Sequence, residues 1–166
     1  MNKGFTLIEI MVVASITVLL SSILVSNFSR TKTDLGMAAV FAGDAVREAQ
    51  SLAFSGGGRG ELRCGYGISF RRDGYDVYAG PRTTDGCSRS PRFSDPGVTI
   101  IRSATLGSPA LEVRTSADLF FEPPMPTTYA GGATGFGSAV ISICRTGTTD
   151  CRSITVTSSG VISTSK

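Results

Sequence analysis

The chain of 166 residues predicts an α+β fold in which one long N-terminal helix packs on an antiparallel β-sheet. Two observations carry this prediction. Up to residue 54 the sequence is mostly apolar or has apolar residues three or four positions apart, the spacing of a helix face. After residue 58, short runs of strand-forming residues alternate with clusters of Gly, Pro, Asp and Ser, the pattern of strands joined by turns.

The first part of the predicted helix is apolar and long enough to cross a membrane. The nineteen residues from Ile10 to Phe28 contain no charged side chain, and Glu9 stands immediately before them. As a helix they span roughly 28 Å, close to a bilayer core of about 30 Å. A carboxylate at the end of such a segment costs free energy when the segment inserts into a membrane. Its presence therefore indicates a function.

Three interpretations of residues 1–28 are open. A secretory signal peptide would also have a cation such as Lys3, but its cleavage site follows the apolar region and would remove Glu9. A plain membrane anchor keeps Glu9 without giving it a role. Cleavage before the apolar region, after Gly4, retains both the helix and the carboxylate.

Residues 3–9, Lys-Gly-Phe-Thr-Leu-Ile-Glu, resemble the class III signal of type IV prepilins and type II secretion pseudopilins. The resemblance implies that a prepilin peptidase cleaves between Gly4 and Phe5 and methylates the new amino group of Phe5. It also implies that Glu9 pairs with the N-terminal ammonium of a neighbouring subunit. A buried pair of this kind adds little net stability, but it fixes the register between neighbouring subunits. A shift in register would leave a buried charge unpaired, and that is costly. The implied fold is the pilin fold, an α+β fold.

The same resemblance implies a structural subunit of a type IV pilus or type II secretion pseudopilus, held in the inner membrane by a single pass until a filament takes it up. Its implied partners are other pilin subunits, the prepilin peptidase and the assembly machinery. The C-terminal domain is then extracytoplasmic, on the far side from Lys3. A monomeric membrane-anchored surface protein is the alternative that needs neither cleavage at Gly4 nor Glu9.

The chain divides into four predicted segments: a leader at 1–4, a membrane or filament-core helix at 5–28, an amphipathic half-helix at 29–55 and a β-rich domain at 56–166. The amphipathic half carries a stripe of small apolar residues, namely Leu35, Ala38, Ala39, Ala42, Val46, Ala49 and Ala53. Three consecutive glycines from Gly56 end the helix, because glycine adopts the left-handed conformation found past a helix C-terminus.

Seven runs in the β-rich domain predict strands: 66–70, 76–78, 98–101, 119–121, 140–143, 153–157 and 161–163. Arg72-Asp73-Gly74 predicts a tight hairpin, with Asp-Gly supplying positive φ angles. Ser158-Ser159-Gly160 predicts a second turn. The proline-rich residues 122–126 predict an extended surface connection.

Four cysteines, Cys64, Cys87, Cys144 and Cys151, all follow the apolar helix. Three disulfide connectivities are open, and the sequential one, Cys64–Cys87 with Cys144–Cys151, closes the shortest loops. A zinc site is the other interpretation, but the chain has no Cys-x-x-Cys spacing and no histidine. Disulfides are therefore expected, and they place the domain in an oxidising compartment.

Residues 46–50, 67–70, 119–122 and 159–162 resemble the GspH/FimT-like branch of minor pilins, which includes members that bind DNA. Seven arginines are candidates for phosphate contact in that alternative: Arg59, Arg63, Arg71, Arg72, Arg82, Arg89 and Arg92. A solvated surface of mixed charge is the favoured explanation, because Val161 and Ile162 stand where the DNA-binding members carry arginines. A net charge of +3 is too small to indicate a partner.

Catalysis finds little support in the sequence. Without histidine the chain lacks the usual base at neutral pH. No phosphate-binding loop and no metal-ligand spacing occurs. We therefore expect a protein that is not an enzyme and that needs no cofactor or metal.

Overall fold

The computed structural model describes residues 7–56, 62–123 and 127–165, with the side chains of residues 23–34 left undescribed. One helix, α1, runs from Leu7 to Phe54. The strands among the described residues are β1 Tyr66–Arg71, β2 Gly74–Ala79, β3 Thr99–Thr105, β4 Leu111–Thr115, β5 Asp118–Glu122, β6 Thr127–Ala130, β7 Ser138–Arg145, β8 Cys151–Thr157 and β9 Ile162–Ser165.

The chain forms two compact units, Met1–Asp34 and Leu35–Lys166. The second unit contains the C-terminal part of α1 together with the strands β1 to β9 of the described residues. Helix α1 ends at Phe54, and Gly56 follows with φ +63°, in the left-handed region that glycine tolerates best. The glycine-based prediction of this helix end is therefore confirmed at Gly56, while Gly57 and Gly58 lie outside the described residues.

The strands form two antiparallel sheets rather than the single sheet that the sequence suggests. The first has the order β3-β2-β1-β5-β6 and the second the order β4-β7-β8-β9. Each of the seven predicted runs overlaps an observed strand. The sequence prediction missed β4 and β6, although β4 alternates buried Leu111 and Val113 with charged Glu112 and Arg114.

The predicted small-residue stripe of α1 is buried against the two sheets. Every predicted member of the stripe is at most 5% exposed, and Ala45 belongs to it as well. Short side chains allow the helix to approach the sheets closely, so that large strand residues fill the remaining space. Those residues include Ile68, Val77, Leu119 and Phe121 from the first sheet and Ile141, Ile143, Ile154 and Val156 from the second. The α+β prediction is confirmed.

The β1–β2 hairpin turns at Arg72 and Asp73, but the φ angles predicted for it are wrong. No described residue other than glycine has a positive φ, and Gly74 is not among the glycines that do. Gly74 instead lies against the carbonyl oxygen of Ala104 on β3, where a Cβ atom would collide. The turn also joins the sheets, because its two carbonyls accept hydrogen bonds from the backbone of Leu106 and Val113 at 3.0 and 2.8 Å.

Candidate functional site

The N-terminal part of α1 exposes apolar side chains around the helix. Leu7 is 78% exposed, Ile8 70% and Ile10 61%, and further exposed residues continue to Leu20. Soluble proteins rarely leave an apolar surface of this extent uncovered. This helix surface therefore indicates a site that lipid or another chain covers.

Glu9 lies in the first turn of α1, within this apolar surface. The peptide dipoles of a helix favour negative charge near its N-terminus. Among the described side chains of residues 7–22, Glu9 is the sole ionisable group. Residues 7–22 of α1 thus present one carboxylate on an otherwise uncharged stretch of helix.

The hydroxyl groups of residues 7–22 bond to backbone carbonyls of the same helix. Ser15 donates to the carbonyl oxygen of Met11 at 2.8 Å, and Thr17 donates to that of Val13 at 3.0 Å. Ser21 and Ser22 likewise donate to carbonyls three or four residues earlier. Hydroxyls satisfied in this way enter an apolar environment without losing their hydrogen bonds.

Gly4 and Phe5, the predicted cleavage and methylation residues, lie outside the described residues. Their roles stay predictions. Within the part of the chain that the structure describes, no helix meets the length and hydropathy expected of a membrane span.

The predicted disulfide partners are joined in the structure. Cys64 pairs with Cys87, with Cα atoms 5.4 Å apart, and Cys144 pairs with Cys151, with Cα atoms 4.0 Å apart. Cys144 and Cys151 face each other directly on β7 and β8. The first bridge instead ties the irregular segment 80–98 to the residues preceding β1.

Segment 80–98 contributes Phe93 and Val98 to a second apolar cluster, whose buried members are Cys64, Tyr78, Phe120 and Tyr129. The Phe93 ring lies edge-on to Tyr78 at a centroid distance of 5.2 Å. The backbone N–H of Phe93 donates to Asp118 at 2.7 Å, and the Tyr78 hydroxyl donates to the other oxygen of Asp118, also at 2.7 Å. Asp118 therefore anchors the segment to the first sheet.

Burial perturbs the titration of this cluster. It raises the pKa of Asp118, while the hydrogen bonds from Phe93 and Tyr78 act in the opposite direction. Burial and the nearby Asp118 carboxylate raise the pKa of Tyr78 well above its usual range. Tyr129 donates to Glu122 at 2.7 Å, and this hydrogen bond together with burial raises the pKa of Tyr129 to about 12. Sequence reasoning missed this network, since it depends on residues brought together by the sheet.

The candidate DNA-contact arginines fall into two groups. Arg71 and Arg72 stand at the β1–β2 turn, where Arg71 pairs with Asp73 and Asp76, and Arg72 pairs with Glu112. Arg63, Arg82, Arg89 and Arg92 lie within or beside segment 80–98. Arg59 lies outside the described residues. Carboxylates thus pair with the first group, and DNA contact by either group stays a prediction.

Residues 1–25 match the family model described as the prokaryotic N-terminal methylation motif. No curated protein and no solved structure matches the chain. The motif match covers the residues on which the resemblance to type IV pilins and pseudopilins depends, and it implies processing by a prepilin peptidase and assembly with other pilin subunits. The matched region includes the exposed apolar helix and Glu9, so the sequence motif and the candidate site coincide.

Proposed function

We propose that the protein is a non-enzymatic structural subunit of a type IV pilus or a type II secretion pseudopilus, in the position of a minor pilin or pseudopilin. Prepilin peptidase cleaves it after Gly4 and methylates Phe5. The mature chain stays in the inner membrane with its β-rich domain extracytoplasmic, until the assembly machinery transfers it to the filament.

The observation that carries this proposal is the coincidence of the methylation motif at residues 1–25 with an exposed, uncharged helix surface that contains Glu9. Neighbouring subunits in a filament would cover this surface, as the lipid does before assembly. In that environment of low dielectric, the Glu9 carboxylate and the amino group of a neighbouring Phe5 attract each other strongly.

The second unit supports an extracytoplasmic location for the domain. Both disulfides lie in it, and disulfides persist in oxidising compartments. The domain is then the part of the subunit that a filament displays to its surroundings.

Substitution of Glu9 by alanine tests the proposal. We expect processing to continue, since the peptidase recognises Gly4, while incorporation into filaments falls at least tenfold. Breaking a buried ion pair costs about 3 to 5 kcal/mol, which is ample for this effect. The measurement compares sheared filaments with membranes by immunoblot, and mass spectrometry of the N-terminus verifies the processing.

Ser15→Ala is the matched control within the same helix, because the Ser15 hydroxyl donates to the carbonyl oxygen of Met11 in that helix. This variant should assemble as the wild type does. Normal incorporation of Glu9→Ala, or an equal defect in Ser15→Ala, would contradict the role assigned to Glu9.

A further inference from the structure

Three large apolar side chains are exposed on α1 within the second unit. Met37 is 46% exposed, Val40 54% and Phe41 63%. Their spacing of three and four residues places them on one side of the helix. The buried small-residue stripe, which packs on the sheets, lies on the other side. We call Met37, Val40 and Phe41 the outer patch.

The outer patch ends where the same side of the helix becomes charged. One turn further, Asp44 and Arg47 form an ion pair at 2.7 Å, and Glu48 pairs with Arg102 of β3. The side of a surface helix that faces water is normally polar, as this part is. The apolar residues immediately before it therefore indicate a surface that a partner covers.

The lipid around the apolar stretch 10–28 does not account for the outer patch. Three charged residues, Arg30, Lys32 and Asp34, separate the two in the sequence. Residues 10–28 already have about the length of a bilayer core, and charged side chains enter hydrocarbon at a high cost. A bilayer that covered both apolar surfaces would have to bury these charges.

The N-terminal part of α1 offers a protein surface that fits. Ala14, Val18 and Ser21 are spaced by four and three residues, so they share one side of the helix. All three are exposed, and we call them the acceptor face. Ala14 and Ser21, one turn before and one turn after Val18, are small. Small residues allow a second helix to approach closely.

The acceptor face can receive apolar side chains without losing hydrogen bonds. The Ser21 hydroxyl donates to the carbonyl oxygen of Thr17 at 2.8 Å, and the Thr17 hydroxyl donates to the carbonyl oxygens of Val13 and Ala14. Residues 10–22 carry no charge. The large side chains of the outer patch and the small side chains of the acceptor face are therefore complementary in size and in polarity.

One chain carries both surfaces, and the methylation motif that it matches implies assembly with other pilin subunits. A contact between two different surfaces of identical subunits leaves one surface of each kind free at the two ends. Further subunits then add in the same way, and the contact grows into an open helical filament unless the rotation closes a ring. The two surfaces thus have the arrangement that a filament needs.

We propose that the outer patch of one subunit packs on the acceptor face of a neighbouring subunit, with Phe41 against the helix beside Val18. This contact rests on the proposed function, because it forms between assembled subunits. It gives the folded second unit a direct part in assembly, in addition to the pair that Glu9 forms. The contact ends at the charged positions that begin with Asp44.

Substitution of Phe41 by alanine tests the outer patch. Because Phe41 lies outside the core, Phe41→Ala should leave the melting temperature and the cleavage after Gly4 unchanged, while incorporation into sheared filaments falls at least about tenfold. Phe54→Ala is the matched control, since Phe54 is 58% exposed on the same helix and lies beyond the charged positions. This control should assemble as the wild type does.

Cross-linking locates the contact. The native cysteines form disulfides, so introduced cysteines supply the free thiols. Two differently tagged full-length copies are expressed together, one with Val40→Cys and the other with Ser21→Cys, and a short bifunctional maleimide is added to the filaments. The filaments should yield an adduct that carries both tags, whereas Phe54→Cys combined with Ser21→Cys should yield none.

The outcomes separate this contact from the assembly proposal. Normal assembly of Phe41→Ala, an equal defect in Phe54→Ala, or absence of the adduct from filaments that still depend on Glu9 would overturn the contact and leave the assembly proposal standing. If the wild-type chain enters no filament, both proposals are wrong. If Phe41→Ala releases the unassembled chain from membranes and no adduct forms, lipid covers the outer patch and the contact is wrong.

Discussion

Replacing Cys64 and Cys87 together by alanine should destabilise the domain more than replacing Cys144 and Cys151. The first pair is separated by 23 residues, so loop-closure entropy predicts a loss of about 3.4 kcal/mol. The second pair is separated by 7 residues, for which the same relation gives about 2.4 kcal/mol. For a unit of about 130 residues, these losses lower the melting temperature by roughly 12 °C and 9 °C.

The two variants should also differ in which part of the domain opens locally. The Cys64–Cys87 bridge holds segment 80–98, whose regular structure is a single 3-10 turn, Thr83–Asp85. Without the bridge, the hydrogen bond from the Phe93 N–H to Asp118 should open more often. Cys144 and Cys151 lie on paired strands that keep their ladder when the bridge is removed.

The assay is thermal unfolding of the full chain in detergent, monitored by circular dichroism, with hydrogen exchange of the Phe93 amide as the local measurement. Exchange at Phe93 should accelerate in the first variant and stay near the wild-type rate in the second. The reasoning would be refuted if the second variant melted lower than the first, or if Phe93 exchanged at the same rate in all three proteins. Peptide mapping without reduction verifies the starting connectivity, and a Cys87–Cys144 peptide would contradict it.

Three further predictions concern processing, titration and packing. Mass spectrometry of the purified protein should show an N-terminus that begins with methylated Phe5, and an intact Met1 would contradict cleavage after Gly4. Because the folded state raises the pKa of Asp118 above 3.8, its contribution to stability is fully present below that pH and decreases as pH rises through the folded pKa. The cost of Asp118→Asn, measured by denaturant unfolding, should therefore shrink as pH rises, and a constant or growing cost would reject this assignment. Ile141→Ala should cost about 2 to 5 kcal/mol because Ile141 is fully buried, whereas Val140→Ala on the exposed side of the same strand should cost little. Equal costs would mean that the orientation of β7 is wrong.

Much of the second unit could be predicted from short-range patterns in the sequence. The small-residue stripe of α1 and the strand runs each depend on a pattern within a few residues, and the structure has both. The β1–β2 turn shows the limit of such reasoning. The sequence correctly placed the turn, but the reason for Gly74 is its contact with Ala104 on a strand some thirty residues later.

The candidate site was accessible from the sequence because it is linear. Glycine, phenylalanine and glutamate stand at fixed spacing before the uncharged residues 10–28, and no folding is needed to bring them together. The structure added that the helix surface is exposed and that its hydroxyls are satisfied within the helix. The arginine candidates, in contrast, are spread along the chain. Their grouping and their carboxylate partners depend on how the strands fold, so the sequence did not show them.

The sequence by itself determined the helix, most of the strands and the position of the N-terminal methylation motif, because each follows from periodicity, turn chemistry or a short linear pattern. It favoured the sequential disulfide pairing, which the structure then showed. Only the tertiary structure decided the division into two sheets and the contacts by which Asp118 anchors segment 80–98. These features join residues that are distant in the chain. Their energies depend on register and burial, which exist only once the strands have paired.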